Sequence, residues 1–368
     1  MTKALFCLKR NEHIMTDCYF ADYTIGTDAY EAFNSVCAPL GKRALIIGGE
    51  TALGKSREKL MKNLDGFEIV DTVIYGKECY RKRIEELHNK YKDSGADFVI
   101  GVGGGKAIDT SKCVADMLKI PVVTVPTIAS TCAASSALAV IYDENHAYEG
   151  FWYLKRPAHH CFIDTEIIAN APDMYFRAGI GDTIAKFYEV EFSARGKQTT
   201  FQDDLGISIS RMSREPLMRR AVQAYADCRD HVITTDLEET ALIILVSTGM
   251  VSMLIDEGFN GAMAHALFYG LTVIPGFEEK FLHGDVVGYC TVVQCVLDGN
   301  IEEAKKIRQL ISQMGVETTL SGRGIQVDYD TLLPVLEAAV RDPDMKVIPY
   351  KITPQMMFEA IAKVEELM

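Results

Sequence analysis

No C-x-x-C pair occurs in the chain, although it holds ten cysteines: Cys7, Cys18, Cys37, Cys79, Cys113, Cys132, Cys161, Cys228, Cys290 and Cys295. A structural zinc site or a redox pair needs close spacing, so neither is expected. The scattered cysteines read as small core side chains in a reducing compartment. No apolar run reaches the ~20 residues that span a bilayer. The longest, 241–255, contains Ser247, Thr248, Gly249 and Ser252, and reads as a buried core helix. The N-terminal segment places Lys9 and Arg10 where a secretion signal needs apolar residues. A cytoplasmic protein without a membrane partner is expected. Positive charge is scarce as well: 38 Lys+Arg stand against 51 Asp+Glu, a net charge of −13. A nucleic-acid binder needs a basic face, so no nucleic-acid partner is expected. A small anion held by backbone N–H groups stays open. Repeats and low-complexity segments are lacking too.

What is present fits an ordinary folded chain. The 368 residues suggest two domains, and 48% hydrophobic with 24% charged residues is enough to bury a core. The first part alternates strand and helix signals. Short apolar runs at 43–48, 68–75, 97–102 and 121–125 read as strands, and 51–63, 78–92 and 106–118 as helices. That alternation predicts a parallel sheet with helices on both faces. From about Pro172 helical patterns dominate, at 183–194, 217–230, 237–255, 301–314, 329–340 and 354–367. A largely helical second half is expected, with the boundary between 165 and 172.

Gly101-Val-Gly-Gly-Gly-Lys106 follows a buried strand and opens a helix. Glycines there let the backbone turn sharply and let a phosphate approach the N–H groups at a helix N-terminus. The dinucleotide fingerprint fails because Lys106 stands at its third glycine. The P-loop fails because Ile100 stands at its first glycine and Ala107 at its Ser/Thr. Phosphate cradling and a bare tight turn both remain. Pro126-Thr-Ile-Ala-Ser-Thr131 follows the next strand and offers three hydroxyls where α/β proteins bind ligands. It is either a ribose or phosphate contact or a capping turn. Of the eight histidines, His88 lies on a charged helix and His159-His160 in a loop. His265 stands in an apolar helical stretch, where a lone histidine is often a satisfied core residue. His283 follows the break at Pro275-Gly276 and precedes an apolar helix. Asp182 reads as a helix N-cap. Together Asp/His/His is a ligand set for a divalent metal with an open position, but spacing alone does not assemble it.

Gly103–Lys112, Pro126–Thr131, Ser136–Tyr142, Ile163–Thr165, Ala178–Asp182, His265 with Gly270-Leu-Thr272, and His283-Gly284 form an ordered set. On these segments the chain resembles the glycerol dehydrogenase branch of the iron-containing (group III) alcohol dehydrogenase family. The resemblance implies an α/β N-terminal nucleotide-binding domain with a parallel sheet, dehydroquinate-synthase-like, over residues 1–166. It implies an all-α C-terminal domain over 167–368, with the active site in the cleft between. It places metal ligands at Asp182, His265 and His283. Iron-binding relatives carry another His four residues after the Asp, where this chain has Lys186, so zinc is expected ahead of iron, manganese or nickel. Cofactor contacts fall on Gly103, Gly104, Gly105, Lys106 and Asp109 around the pyrophosphate, and on Thr127, Ser130, Ser136, Leu138 and Tyr142 around the remainder. Gly49 stands where many relatives carry an Asp that favours NAD, and Glu50 beside it could take that Asp's role, so both NAD and NADP stay open. Cys132 replaces the usual substrate-side Asp, which makes glycerol doubtful and favours a less polar or an acidic substrate.

The implied activity is the metal-dependent, NAD(P)-linked interconversion of a small alcohol, polyol or hydroxy acid, with its carbonyl partner. A homo-oligomer is implied as well. The alternatives are a dehydroquinate-synthase-like lyase, which would need basic residues such as Lys155, Arg156 and Lys186 around a phosphate, and a catalytically silent nucleotide binder.

Overall fold

The computed structural model describes residues 18–144 and 148–367. Cys7, Lys9, Arg10, His13 and His146 lie outside the described residues. In chain order the first half runs β1 (Asp22–Gly26), α1 (Phe33–Cys37), β2 (Arg43–Gly48), α2 (Glu50–Lys62), β3 (Glu68–Ile74), α3 (Arg81–Tyr91), β4 (Phe98–Gly103), α4 (Gly105–Leu118), β5 (Val122–Pro126), β6 (Leu138–Tyr142), β7 (Tyr148–Tyr153) and β8 (His160–Asp164). Six strands form one parallel sheet in the order β1-β8-β5-β4-β2-β3, and β6 pairs antiparallel with β7 as a separate hairpin.

The expected parallel sheet is borne out, and side-chain alternation explains its two covered faces. Ala44, Ile46, Ile100 and Val102 point to a core shared with Leu53 and Leu60 of α2. Leu45, Ile47 and Val99 point to the other face, against Ile84 and Leu87 of α3 and Val114 of α4. Fully burying each such side chain stabilises by about 1.5–3 kcal/mol. The strands β1 and β8 and the β6–β7 hairpin are additions to the expected set. His160, expected in a loop, opens β8.

The second half is helical: α5 (Thr165–Ala169), α6 (Asp173–Ala194), α7 (Phe201–Arg229), α8 (Thr235–Leu242), α9 (Thr248–Leu254), α10 (Met263–Leu271), α11 (Phe277–Lys280), α12 (His283–Leu297), α13 (Ile301–Gln313), α14 (Tyr329–Arg341) and α15 (Pro354–Glu366). Two helices start earlier than expected. α6 begins at Asp173, so Asp182 lies mid-helix rather than at an N-cap. α7 begins at a capping box between Thr200 and Asp203 and runs through Pro216. The carbonyl that Pro216 leaves without a donor belongs to Met212, which is 68% exposed and open to water.

A single expected helix over 237–255 is interrupted. A π-helical turn, Ile243–Ser247, separates α8 from α9. The Ser135 hydroxyl donates to the Leu245 carbonyl in that turn. By length and composition Thr235–Leu254 could cross a membrane. Here Leu237, Ala241, Ile244 and Val251 are buried in the helical core.

Candidate active site

Crossovers in the sheet leave β2 and β4 in opposite directions, which opens a crevice at their C-terminal ends. Gly49, the N-cap of α2, lies on one side of it. The turn after β4 lies on the other. Gly103 ends β4 at φ +145°, a conformation L side chains rarely adopt, and an added Cβ would sit 2.9 Å from Ala107 Cβ. Gly104 caps α4 with no side chain bonded to the first-turn N–H groups. Lys106 pairs with Glu78 at 2.6 Å and lies over the Tyr142 ring at 4.8 Å. Its charge is therefore already matched, and the uncapped N–H groups of α4 are the groups left to hold an anion.

A cleft of about 2720 Å³ runs from this crevice into the helical half. Gly49, Gly104, Gly105, Lys106, Asp109, Thr127, Ser130, Cys132, Ser136, Leu138 and Tyr142 all line it. Gly103 does not: it shapes the turn from beneath, its carbonyl accepting from Thr127 N–H at 3.1 Å. Asp109 is 5% exposed and acts mostly inward. It pairs with Lys112 at 2.9 Å and accepts from Val140 N–H at 3.0 Å. Lys112 is fully buried and donates to the carbonyls of Ala133 (2.8 Å), Ser136 (3.2 Å) and Leu138 (2.5 Å). One buried ammonium thus gathers the loop that carries Cys132 and Ser136.

Across the cleft stands the carboxylate–imidazole cluster. Asp182 Oδ1 lies 3.5 Å from His265 Nε2 and 3.3 Å from His283 Nε2, and the three ligand atoms are within 4.8 Å of one another. The glycines around these residues explain how two of the three helices, α6 and α12, meet so closely. A Cβ on Gly284 would stand 1.8 Å from the Ala178 carbonyl oxygen, and one on Gly181 2.2 Å from that of Gly284. Arg177 locks the crossing, with Nε 3.0 Å from Asp285 Oδ1 and Nη2 2.6 Å from Oδ2. His283 is the first residue of α12, and its ring meets Phe268 edge-on at 4.4 Å.

Glu189 completes the cluster, and the sequence reading missed it. It is fully buried on α6. Its Oε1 accepts from the Ala262 and His265 backbone N–H groups at 3.0 and 2.8 Å, and its Oε2 lies 2.5 Å from His265 Nδ1. The available signal was spacing: Glu189 follows Asp182 by two helical turns, on one face. Burial opposes charging the His265 ring, yet Glu189 and Asp182 outweigh it and push its pKa up to about 10. Burial likewise opposes ionising Asp182, but the two imidazoles hold its carboxyl far below the usual range.

The cluster fits a divalent cation. A cation that displaced the second ring proton would leave Nδ1–H with Glu189 and the lone pair of His265 Nε2 facing the Asp182 carboxylate, and His283 Nε2 faces the same oxygen. Acceptors converge where a positive charge belongs. Bonds of ~2.1 Å in a tetrahedron give ligand separations of about 3.4 Å, near the 3.3 and 3.5 Å observed. His283 has the most exposed side chain of the three, 39% against 13% and 15%, so an open position would face the cleft. Of the three basic residues required by the lyase alternative, only Lys186 lines the cleft. Arg156 lies instead over the Tyr19 ring.

A parallel sheet with a crevice at its switch point, facing an Asp/His/His centre on helices, defines a two-part metal-dependent oxidoreductase. Comparison with known proteins agrees. The profile for iron-containing alcohol dehydrogenase matches residues 21–165. The chain is 32% identical over 326 residues to hydroxycarboxylate dehydrogenase A of Escherichia coli K12, covering 88% of this chain and 89% of that one. It is 31% identical over 336 residues to glycerol dehydrogenase of Thermotoga maritima, covering 89% and 90%. The crystal structure of glycerol dehydrogenase from Schizosaccharomyces pombe superposes with a TM-score of 0.85 at 26% identity, covering 95% and 90%. The chain belongs to the iron-containing alcohol dehydrogenase family, in its glycerol dehydrogenase branch, and is a metal-dependent alcohol oxidoreductase acting on small alcohols.

Proposed function

We propose that the chain is a zinc-dependent, NAD(P)-linked dehydrogenase that interconverts a small polyol or hydroxy acid with its carbonyl partner. The observation that carries this is the convergence of Asp182, His265 and His283 on one point, with Glu189 behind them. These three residues are the proposed metal ligands, and an N/O set of three with one open position suits zinc. The division between the two functional halves is proposed at 166/167. Cytoplasmic placement is proposed because the nine described cysteines are all free, seven of them buried. Self-association is proposed too, supported by Phe201 and Met212, which expose 81% and 68% of their surface on α7.

When bound, the metal supplies a Lewis acid for the substrate oxygen, and the nicotinamide supplies the two-electron acceptor. The chain's own residues do the rest. Glu189 fixes the tautomer and direction of the His265 ring. The α4 N-terminus holds the pyrophosphate, and Thr127 and Ser130 offer hydroxyls along the cofactor's path. Asp109 and Lys112 hold the 132–138 loop in place against the cleft. At the β2 end of the crevice Gly49 brings no carboxylate, and Glu50 and Lys77 both line it, so NADP(H) is proposed alongside NAD(H). Cys132 offers no carboxylate to a polyol hydroxyl.

The test is NAD(P)H oxidation over aldehydes, ketones and 2-oxo acids with zinc-loaded protein. Asp182→Ala, His265→Ala and His283→Ala should each lower kcat/KM by at least 1000-fold while NAD(P)H binding survives. Full activity in any one of them would sink the ligand assignment. A zinc-loaded wild type that binds the nucleotide and oxidises it with no panel member would sink the redox reading.

A further inference from the structure

We propose that Lys186 anchors the acid group of the substrate, so that the cleft takes small hydroxy acids and their oxo acids ahead of uncharged polyols. This rests on the metal-dependent reading above and names its specificity residue. Lys186 follows Asp182 by four residues on α6, so the two side chains leave the same helix face about 5–6 Å apart. It lines the cleft and is half-buried. Its ammonium has three donors. Asn260 takes up donors with its backbone carbonyl and with Oδ1, the latter at 2.8 Å. Both acceptors are neutral, and no carboxylate forms an ion pair with Lys186 among the described residues. Asn260 therefore aims the ammonium without cancelling its charge.

The surroundings leave that charge for a ligand. Cys132 faces the same space, its Sγ 3.9 Å from Ser252 Oγ. Burial pushes its thiol pKa up, so the side chain stays neutral where a carboxylate would have matched Lys186. Asp182 and Glu189 are engaged with the imidazoles, which leaves Lys186 without a carboxylate in contact among the described residues. An ammonium so placed suits a monoanion. Asp342 and Asp344 line the neighbouring cleft wall, where burial raises both carboxyl pKa values, that of Asp344 to about 6, and so weakens their competition for Lys186.

The experiment compares 2-oxobutyrate with 1-hydroxy-2-butanone, in which an uncharged CH2OH replaces the carboxylate. Zinc-loaded wild type should favour the acid by at least about tenfold in kcat/KM. Lys186→Gln should reduce that ratio by at least tenfold, through the KM of the acid, and Lys186→Arg should keep most of it. An unchanged ratio in Lys186→Gln, or a wild type that favours the ketol, overturns the proposal. If neither compound turns over, calorimetry still decides. Binding of 2-oxobutyrate to wild type and not to Lys186→Gln supports the anchor while sinking the redox reading. Equal binding, or none, overturns the anchor.

Discussion

Glu189 lies behind the candidate metal centre and orients one of its imidazoles. Its two oxygens occupy three donors of the α10 segment: the Ala262 N–H, the His265 N–H and the His265 ring. A buried carboxylate holding three donors keeps its charge, and the imidazole it faces becomes a better ligand. Glu189→Gln keeps the size but presents an amide N–H to a ring N–H. Zinc affinity should fall 10–100-fold, measured by competition with a chelating dye. Unchanged affinity would show that Asp182 and His283 alone fix the centre. Lys112 is the counterpart in the other half. It is fully buried, and its neighbours are one carboxylate and three carbonyls. Neither residue stands out in the sequence. Glu189 resembles any glutamate on a helix, and Lys112 resembles a surface lysine until the fold shows it fully enclosed.

Helices α6 and α12 meet backbone to backbone, and the sequence marks this with glycines. Ala-Gly-Ile-Gly-Asp182 and His283-Gly-Asp285 look like helix breakers, which is why the expected helix began near Thr183. Gly284 is needed for space. An added Cβ at 1.8 Å from the Ala178 oxygen cannot be accommodated unless the helices separate. Gly284→Ala should cost ~1–3 kcal/mol or more and release the metal, read by denaturant unfolding and by zinc content of the folded fraction. Gly54→Ala in exposed α2 meets nothing within 4 Å and should be neutral or gain ~0.5–1 kcal/mol. Equal effects at the two positions would refute the packing argument. The central strands and α2 to α4 were legible because each is a short apolar run or a single amphipathic stripe. The edge strand β1 and the β6–β7 hairpin were not, since local pattern leaves their partners open. The three candidate ligands were legible as residue types. Their assembly came only from the family resemblance, because nothing in local spacing brings α6, α10 and α12 together.

At the scale of the molecule, the chemistry is divided. The proposed cofactor turn belongs to the sheet, and all three metal-ligand candidates belong to the helices. Metal and nucleotide should therefore bind with little mutual dependence until substrate joins them. Zinc addition should slow hydrogen exchange in α6, α10 and α12 and leave the β4–α4 turn unchanged. NAD(P)H affinity in metal-free protein should stay within about threefold of the loaded value. A tenfold loss would mean that the halves are coupled through the cleft. The π-helical turn Ile243–Ser247 sets how the halves meet, because it receives Ser135 from the sheet side and feeds α9, which carries Ser252 beside Cys132. A π turn is in effect one residue inserted into an α-helix. Each residue advances a helix by about 100°. Removing one residue there would restore a regular helix and turn α9 by only part of that angle, because the wider π turn already absorbs most of it, and would shift Ser252 relative to the cleft. The turn thus works as an angular setting, through which the substrate wall could be re-aimed without changing any residue that lines it.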